Sequence, residues 1–132
     1  NSRRSQVDDL DVEEEFDLEL IKKLLAAGRL RQAAQICLHS GEETPNLGDG
    51  LNLVALHAYV EEHHTAAGRL WERAMRLDSE QVNVIFNYAR LLVDVGRLAE
   101  ARPLVTRLLK LKPHLSPAIE LQRRLEGTEN NG

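Results

Sequence analysis

Three residues of this chain have the types and the spacing of a metal site. His57, Glu61 and His64 stand at i, i+4 and i+7 of one predicted helical stretch, so their side chains share a face. Two imidazoles and a carboxylate can bind Zn²⁺ and support a metal-dependent enzyme. In the alternative, His57 packs against a neighbouring helix while Glu61 and His64 are solvated near a turn. Because a motif counts only in a confirming structural context, we favour this alternative and predict no metal and no cofactor.

A phosphate-binding loop is the second kind of site for which the sequence offers a candidate. The stretch GDGLN at 48–52 has two glycines. A phosphate loop needs a longer glycine-rich turn that opens a helix, and this stretch is too short and unsupported to be one. The sequence therefore contains no nucleotide-binding motif.

The elements that must position these residues are helices. The chain has 132 residues, the length of one domain, with 42% apolar residues but only 4% aromatic ones. Its core must therefore consist of Leu, Ala and Val, which suit helices better than a sheet. No apolar run approaches the roughly 18 residues of a membrane span, and the first residues do not resemble a signal peptide. We therefore expect a cytoplasmic location and no membrane partner.

The sequence repeats with a period of 34 residues. LLAAGRLRQAAQ around Gly28 matches LLVDVGRLAEARP around Gly96, two periods further on. Ala67 lies midway between Ala33 and Ala101. Each repeat is predicted to contain a helix A and a helix B joined by a short turn. The predicted A helices cover 14–27, 49–62 and 82–95, and the B helices cover 30–40, 65–77 and 98–111.

This pattern resembles the tetratricopeptide repeat, a helix-turn-helix unit of the same length. The family places small residues where helices A and B cross, and most of the matching positions here are Ala or Ser: Ile21, Ala33, Ser40, Ala55, Ala67, Ala74, Ala89, Ala101 and Leu108. The resemblance covers about residues 14–115. It implies an all-α fold, a right-handed superhelix (α-solenoid) of three helix-turn-helix repeats at about 14–47, 48–81 and 82–115.

The resemblance also assigns a large packing position in helix B, which Cys37, Trp71 and Val105 occupy. A buried cysteine is usually inert, so Cys37 is not expected to be a nucleophile, and we predict that the protein is not an enzyme. Trp71 is expected to pack in the core. Glu62 replaces the turn glycine of the second repeat, and we expect that turn to be distorted or extended over His63 and His64.

The two ends of the chain depart from the repeat. Residues 1–13 form an acidic leader that is expected to be disordered. Ser116 and Pro117 suit the start of a capping helix over 116–126, with Ala118, Leu121 and Leu125 on its inner face. Gly127 is expected to stop this helix, so that the repeat domain covers 14–127 and a flexible tail covers 128–132.

By position, the family geometry places a set of polar and apolar A-helix residues on the concave face of the superhelix. Asparagine amides there can bond a peptide backbone, and aromatic rings can hold apolar side chains. The predicted partner-binding residues are Leu18, Lys22, Asn52, Leu56, Tyr59, Asn83, Phe86, Asn87 and Arg90.

These features predict a non-catalytic adaptor or scaffold that binds an extended peptide or a helix of another protein. The net charge of −4 argues against nucleic acid, because phosphate contacts need a positive surface. Acidic residues concentrate in the first fifty positions, whereas basic ones dominate between Arg97 and Arg124. The alternative is therefore a self-associating structural module, a homodimer or larger homo-oligomer formed through the repeat ends.

Overall fold

The computed structural model describes residues 15–131, and the side chains of residues 15–127. The predicted disordered leader, 1–13, lies outside the described residues. Between 15 and 131 the chain forms seven α-helices and no strand, which confirms the all-α prediction. The helices are α1 (Leu18–Ala26), α2 (Leu30–His39), α3 (Leu47–Val60), α4 (His64–Leu77), α5 (Val82–Asp94), α6 (Leu98–Leu111) and α7 (Ser116–Asn131).

The chain divides into two compact units between Leu77 and Asp78. The first unit holds the first two repeats, α1 to α4. The second unit holds the third repeat, α5 and α6, together with α7. The repeat domain over 14–127 stays a prediction, and the division falls between the second and third repeats. Each compact unit therefore contains whole repeats.

Within each repeat, helix A packs on helix B through the small positions that the sequence identified. The predicted crossing residues, apart from Ser40, are completely buried, with exposed fractions of 0%. Ser40 is half-buried, and its hydroxyl donates to the carbonyl of Ile36 at 2.6 Å. Cys37 and Trp71 are also at 0% and Val105 at 2%, so the large packing position is confirmed as core.

All three turns between helices A and B have the same backbone geometry. Gly28, Glu62 and Gly96 adopt left-handed φ values of 79°, 67° and 83°. After each of these residues, the next backbone N–H donates to a carbonyl five residues back at 2.8 Å. This is the bonding that satisfies the last carbonyls of a helix in the Schellman motif.

The expected distortion of the Glu62 turn is therefore wrong. The turn keeps the glycine geometry, and α4 begins at His64 without an extended linker. Because the hydrogen bonds of α3 and the packing of α4 determine the path, the glutamate accepts a left-handed conformation. That conformation costs roughly 1–2 kcal/mol for a residue with a Cβ atom.

Helix α7 closes the second unit. Ala118, Leu121 and Leu125 are buried at 0%, 3% and 4%, which confirms the predicted inner face. The helix continues to Asn131, so Gly127 does not end it at 126 as expected, and residues 128–131 are helical instead of a tail. Gly127 is not among the residues with positive φ. A glycine inside a helix costs only about 1 kcal/mol relative to alanine, which does not suffice to stop it.

Candidate protein-binding site

In the first unit, five of the predicted partner-binding residues lie on two A helices. Leu18 and Lys22 are one turn apart on α1, and Asn52, Leu56 and Tyr59 follow one face of α3. Lys22 is exposed, and its ammonium group lies 3.3 Å from the carboxylate of Glu19. The other four side chains are half-buried. We call these five residues the first-unit surface.

One member of the first-unit surface has a structural partner that the sequence did not predict. The side-chain oxygen of Asn52 accepts a hydrogen bond of 2.8 Å from the indole N–H of Trp71. Trp71 is completely buried, so its only polar group needs an acceptor within the protein. Asn52 therefore fixes the crossing of α3 and α4, and its amide oxygen is not simply presented to a peptide.

Aromatic rings continue from this bond to the start of α4. The ring centroid of Tyr59 lies 6.0 Å from that of Trp71 and 6.1 Å from that of His64, both in tilted geometry. Separations of this size are favourable for aromatic pairs. Tyr59 is thus held between a core tryptophan and a half-buried histidine, and its orientation on the surface is determined by both.

The structure does not bring His57, Glu61 and His64 together. His57 is exposed, His64 packs on Tyr59, and Glu61 lies 3.7 Å from the ring of a different histidine, His63. Among the described side chains of residues 15–127, no three His, Cys, Asp or Glu residues are grouped so that they could hold a metal ion. Glu61 is exposed, as the favoured alternative expects, but His57 is exposed instead of packed against a neighbouring helix, and His64 is half-buried instead of solvated.

Cys37 lies in the core rather than at a surface. Burial raises the pKa of its thiol to about 12, although the positive charge of Arg73 acts in the opposite direction. Reactivity requires the thiolate, so this thiol is protonated and inert at neutral pH. The expectation that Cys37 is a packing residue is confirmed.

In the second unit, the remaining four predicted residues lie on α5. Asn83 is exposed, Phe86 and Arg90 are half-buried, and Asn87 is buried with an exposed fraction of 9%. The guanidinium carbon of Arg90 lies 5.4 Å from the ring centroid of Phe86, within the range of a cation–π contact. One Arg90 nitrogen is 3.5 Å from the side-chain oxygen of Asn87. We call Asn83, Phe86, Asn87 and Arg90 the second-unit surface.

Two arginines on B helices form hydrogen bonds to backbone carbonyls that were not predicted from the sequence. In the first unit, Arg73 donates to the carbonyls of Leu38 and Ser40, each at 2.5 Å, and so caps the end of α2. In the second unit, Arg107 donates to the carbonyl of Ser79 at 3.2 Å. The signal was present, since Arg73 and Arg107 are one repeat period apart. Both satisfy carbonyls at or after the end of the preceding B helix.

A pair of cavities lies between α2 and α4 in the first unit and was not predicted from the sequence. Their volumes are about 530 Å³ and about 420 Å³, and both are bounded by Ala34, His63, Ala66 and Leu70. The apolar stripe Leu30, Ala34 and Leu38 on α2 could have indicated them, because these residues recur every four positions.

Among solved structures, the chain is similar to MamA, a tetratricopeptide-repeat protein, as seen in the crystal structure of MamA. The TM-score is 0.61 at 11% sequence identity, and the match covers 86% of this chain and 77% of the MamA chain. No family model and no curated protein matches the sequence. At this identity the likeness shows the fold, which is a helical repeat of the α-solenoid kind.

None of the helices within residues 15–131 combines the length and the apolar character needed to cross a membrane.

Proposed function

We propose that the protein is a non-catalytic interaction module, an adaptor or scaffold that binds an extended peptide or a helix of another protein. The binding residues are those of the first-unit and second-unit surfaces, which the sequence assigns to the concave face of the repeat. The helical-repeat fold supports a protein-binding role, and the side chains on the A helices supply the chemistry for it.

The observation that carries this proposal is the contact of Arg90 with Phe86 on α5. A guanidinium held over an aromatic ring presents charge and an apolar surface side by side. Arginine and aromatic residues are also enriched among the residues that dominate protein–protein binding energy. Asn87 beneath them is buried, so it orients Arg90 while Asn83, which is exposed, offers its amide to a partner.

In the first unit, Leu56 and Tyr59 supply the half-buried apolar part of the surface, and Lys22 supplies an exposed charge. Asn52 has a different part in the proposal. Because it accepts the Trp71 hydrogen bond, its substitution would disturb the core, and lost binding in an Asn52 variant would not identify a binding residue.

The test compares three forms of the full chain as bait, with captured proteins cross-linked and identified by mass spectrometry. The forms are the wild type, the double variant Phe86→Ala/Arg90→Ala, and the control Thr106→Ala/Lys110→Ala, which alters exposed residues of α6 in the same unit. Circular dichroism establishes that all three are folded. We expect one partner to be captured by wild type and control, lost with the double variant, and cross-linked to α3 or α5. Equal capture by all three forms would refute the proposed surface.

A further inference from the structure

The pair of cavities in the first unit forms one groove outside the two A-helix surfaces. We define the α2–α4 groove by its apolar floor, Ala34, Ala66 and Leu70, and by two arginines, Arg31 on α2 and Arg69 on α4. The two cavities share the floor residues, so they adjoin each other. The groove is open and large enough to take the side chains of a short peptide segment.

The charges around the groove are arranged unevenly. Arg31 and Arg69 are exposed on the two helices that form its sides. The acidic lining residues, Glu61 and Glu62, both belong to the turn before α4, and Glu61 lies 3.7 Å from His63. The two helices therefore present positive charge above an apolar floor. A complementary segment has apolar side chains with acidic residues beside them.

The chain itself contains such a segment. Residues 7–13 read VDDLDVE, in which three apolar side chains alternate with four acidic ones and no basic residue is present. We propose that this segment, 7–13, docks in the α2–α4 groove of its own molecule. Leu10 and its apolar neighbours lie on the Ala34–Leu70 floor, and the aspartates pair with Arg31 and Arg69.

The position of the chain just before α1 is compatible with this placement. Leu10 is five residues from Glu15, and an extended chain of that length reaches about 17 Å. The ring of Phe16 packs against Gly50 of α3 close to the sulfur of Cys37, and Cys37 precedes Leu38, which lines the groove on α2. A tethered segment also has an effective concentration in the millimolar range, so modest complementarity suffices for docking.

The experiment places a nitroxide spin label on the full chain at Ser5→Cys and records amide signals by NMR. Cys37 does not compete for the label near neutral pH, because it is buried and protonated. We expect selective loss of the amide signals of Leu30, Ala34, Ala66 and Leu70. The loss should diminish as NaCl rises from about 0.05 to about 0.5 M, because the arginine–aspartate attraction is screened.

Charge reversal provides the matched variants. Arg31→Glu/Arg69→Glu should abolish the signal loss, whereas Arg29→Glu/Arg76→Glu, which reverses two exposed arginines of the same unit outside the cavity linings, should preserve it. Adding Asp8→Lys/Asp9→Lys/Asp11→Lys to the first pair should restore it. Circular dichroism again establishes that each variant is folded.

Three results would each overturn the proposal. The signal loss could be absent from the groove, or persist in Arg31→Glu/Arg69→Glu. It could also occur only when spin-labelled and isotope-labelled copies are mixed, which would mean that the segment docks on a second copy. No partner protein is present in these measurements, so their failure leaves the proposed function of the A-helix surfaces untouched, and the reverse also holds.

Discussion

The second and third repeats solve the same packing problem with different residues. The large B-helix position is Trp71 in the second repeat and Val105 in the third repeat, one repeat period apart. The A-helix position that pairs with Trp71 is Asn52, and one period later it is Phe86. A buried indole needs a hydrogen-bond acceptor, whereas a valine needs none. The first unit therefore turns an amide inward, while the second leaves an aromatic ring half-exposed under Arg90.

This difference explains why equivalent positions of a repeat need not share a function. In the first unit, the sequence pattern that suggests a peptide-binding amide belongs in part to the core. In the second unit, the same helical face carries a cation over a ring and an exposed asparagine. We therefore expect binding residues on the helical face whose packing partner, Val105, needs no hydrogen bond.

The largest effect on stability should come from truncating Trp71 and Val105, the large packing residues of the second and third repeats, to alanine. Trp71→Ala should lower the free energy of unfolding by about 3–5 kcal/mol, because it leaves a cavity and removes the hydrogen bond to Asn52. Val105→Ala should cost only about 2 kcal/mol, since it removes two methyl groups and no polar partner. Urea denaturation followed by circular dichroism measures both. Equal losses would contradict the contrast between the two units.

Asn52→Leu should separate the hydrogen bond from the packing. It leaves the buried Trp71 N–H without its acceptor and should cost about 1–3 kcal/mol. Adding Trp71→Phe should recover part of that loss, because the donor is then removed as well. Asn83→Leu, at an exposed position of α5, serves as the control and should change stability by less than about 0.5 kcal/mol. If the double variant loses as much free energy of unfolding as the two single variants together, or more, the coupling is excluded.

Substitutions in the turns between helices A and B should change stability in opposite directions in the two units. Glu62→Gly should stabilise the first unit by about 0.5–1 kcal/mol, because it relieves a left-handed glutamate. Gly96→Ala should destabilise the second by about 1–2 kcal/mol through φ strain alone, since a Cβ there would meet no atom within 4 Å. Melting temperatures report both changes. A destabilising Glu62→Gly would show that the glutamate side chain contributes more than its backbone costs.

The smallest effect concerns the ion pair that links α7 to α5 in the second unit. An Arg124 nitrogen lies 3.2 Å from the Asp94 carboxylate, with side-chain exposed fractions of 47% and 30%. Arg124→Ala should cost at most about 1 kcal/mol, and the cost should shrink in about 1 M NaCl. Arg123→Ala, whose partner Glu120 lies on α7 itself, is the control. A larger, salt-independent loss would point to packing of the arginine stem instead of charge.

The sequence predicted what depends on local spacing. The 34-residue period places Ala33, Ala67 and Ala101 at the helix crossings, and only a small side chain permits that approach. Helix bounds are also correct to within a few residues for α2 through α6, because turn residues and apolar periodicity define them locally.

What depends on contacts between distant residues was not predictable. The Asn52–Trp71 bond joins residues 19 apart, and its existence depends on how α3 and α4 cross. Glu62 adopts the left-handed turn conformation and Gly127 lies inside α7, because a residue preference of about 1 kcal/mol does not by itself decide where a turn forms or a helix ends. The α2–α4 groove was not predicted because its shape depends on how the B helices α2 and α4, from neighbouring repeats, pack side by side.

The central claim is that the second-unit surface binds a partner through Arg90 and Phe86. The most direct test is calorimetric titration of the captured partner into wild type, Arg90→Ala and the α6 control Lys110→Ala. The account predicts at least a tenfold rise in Kd for Arg90→Ala, equal to about 1.4 kcal/mol, and an unchanged Kd for Lys110→Ala. An unchanged Kd for Arg90→Ala, or equal losses in both variants, would contradict it.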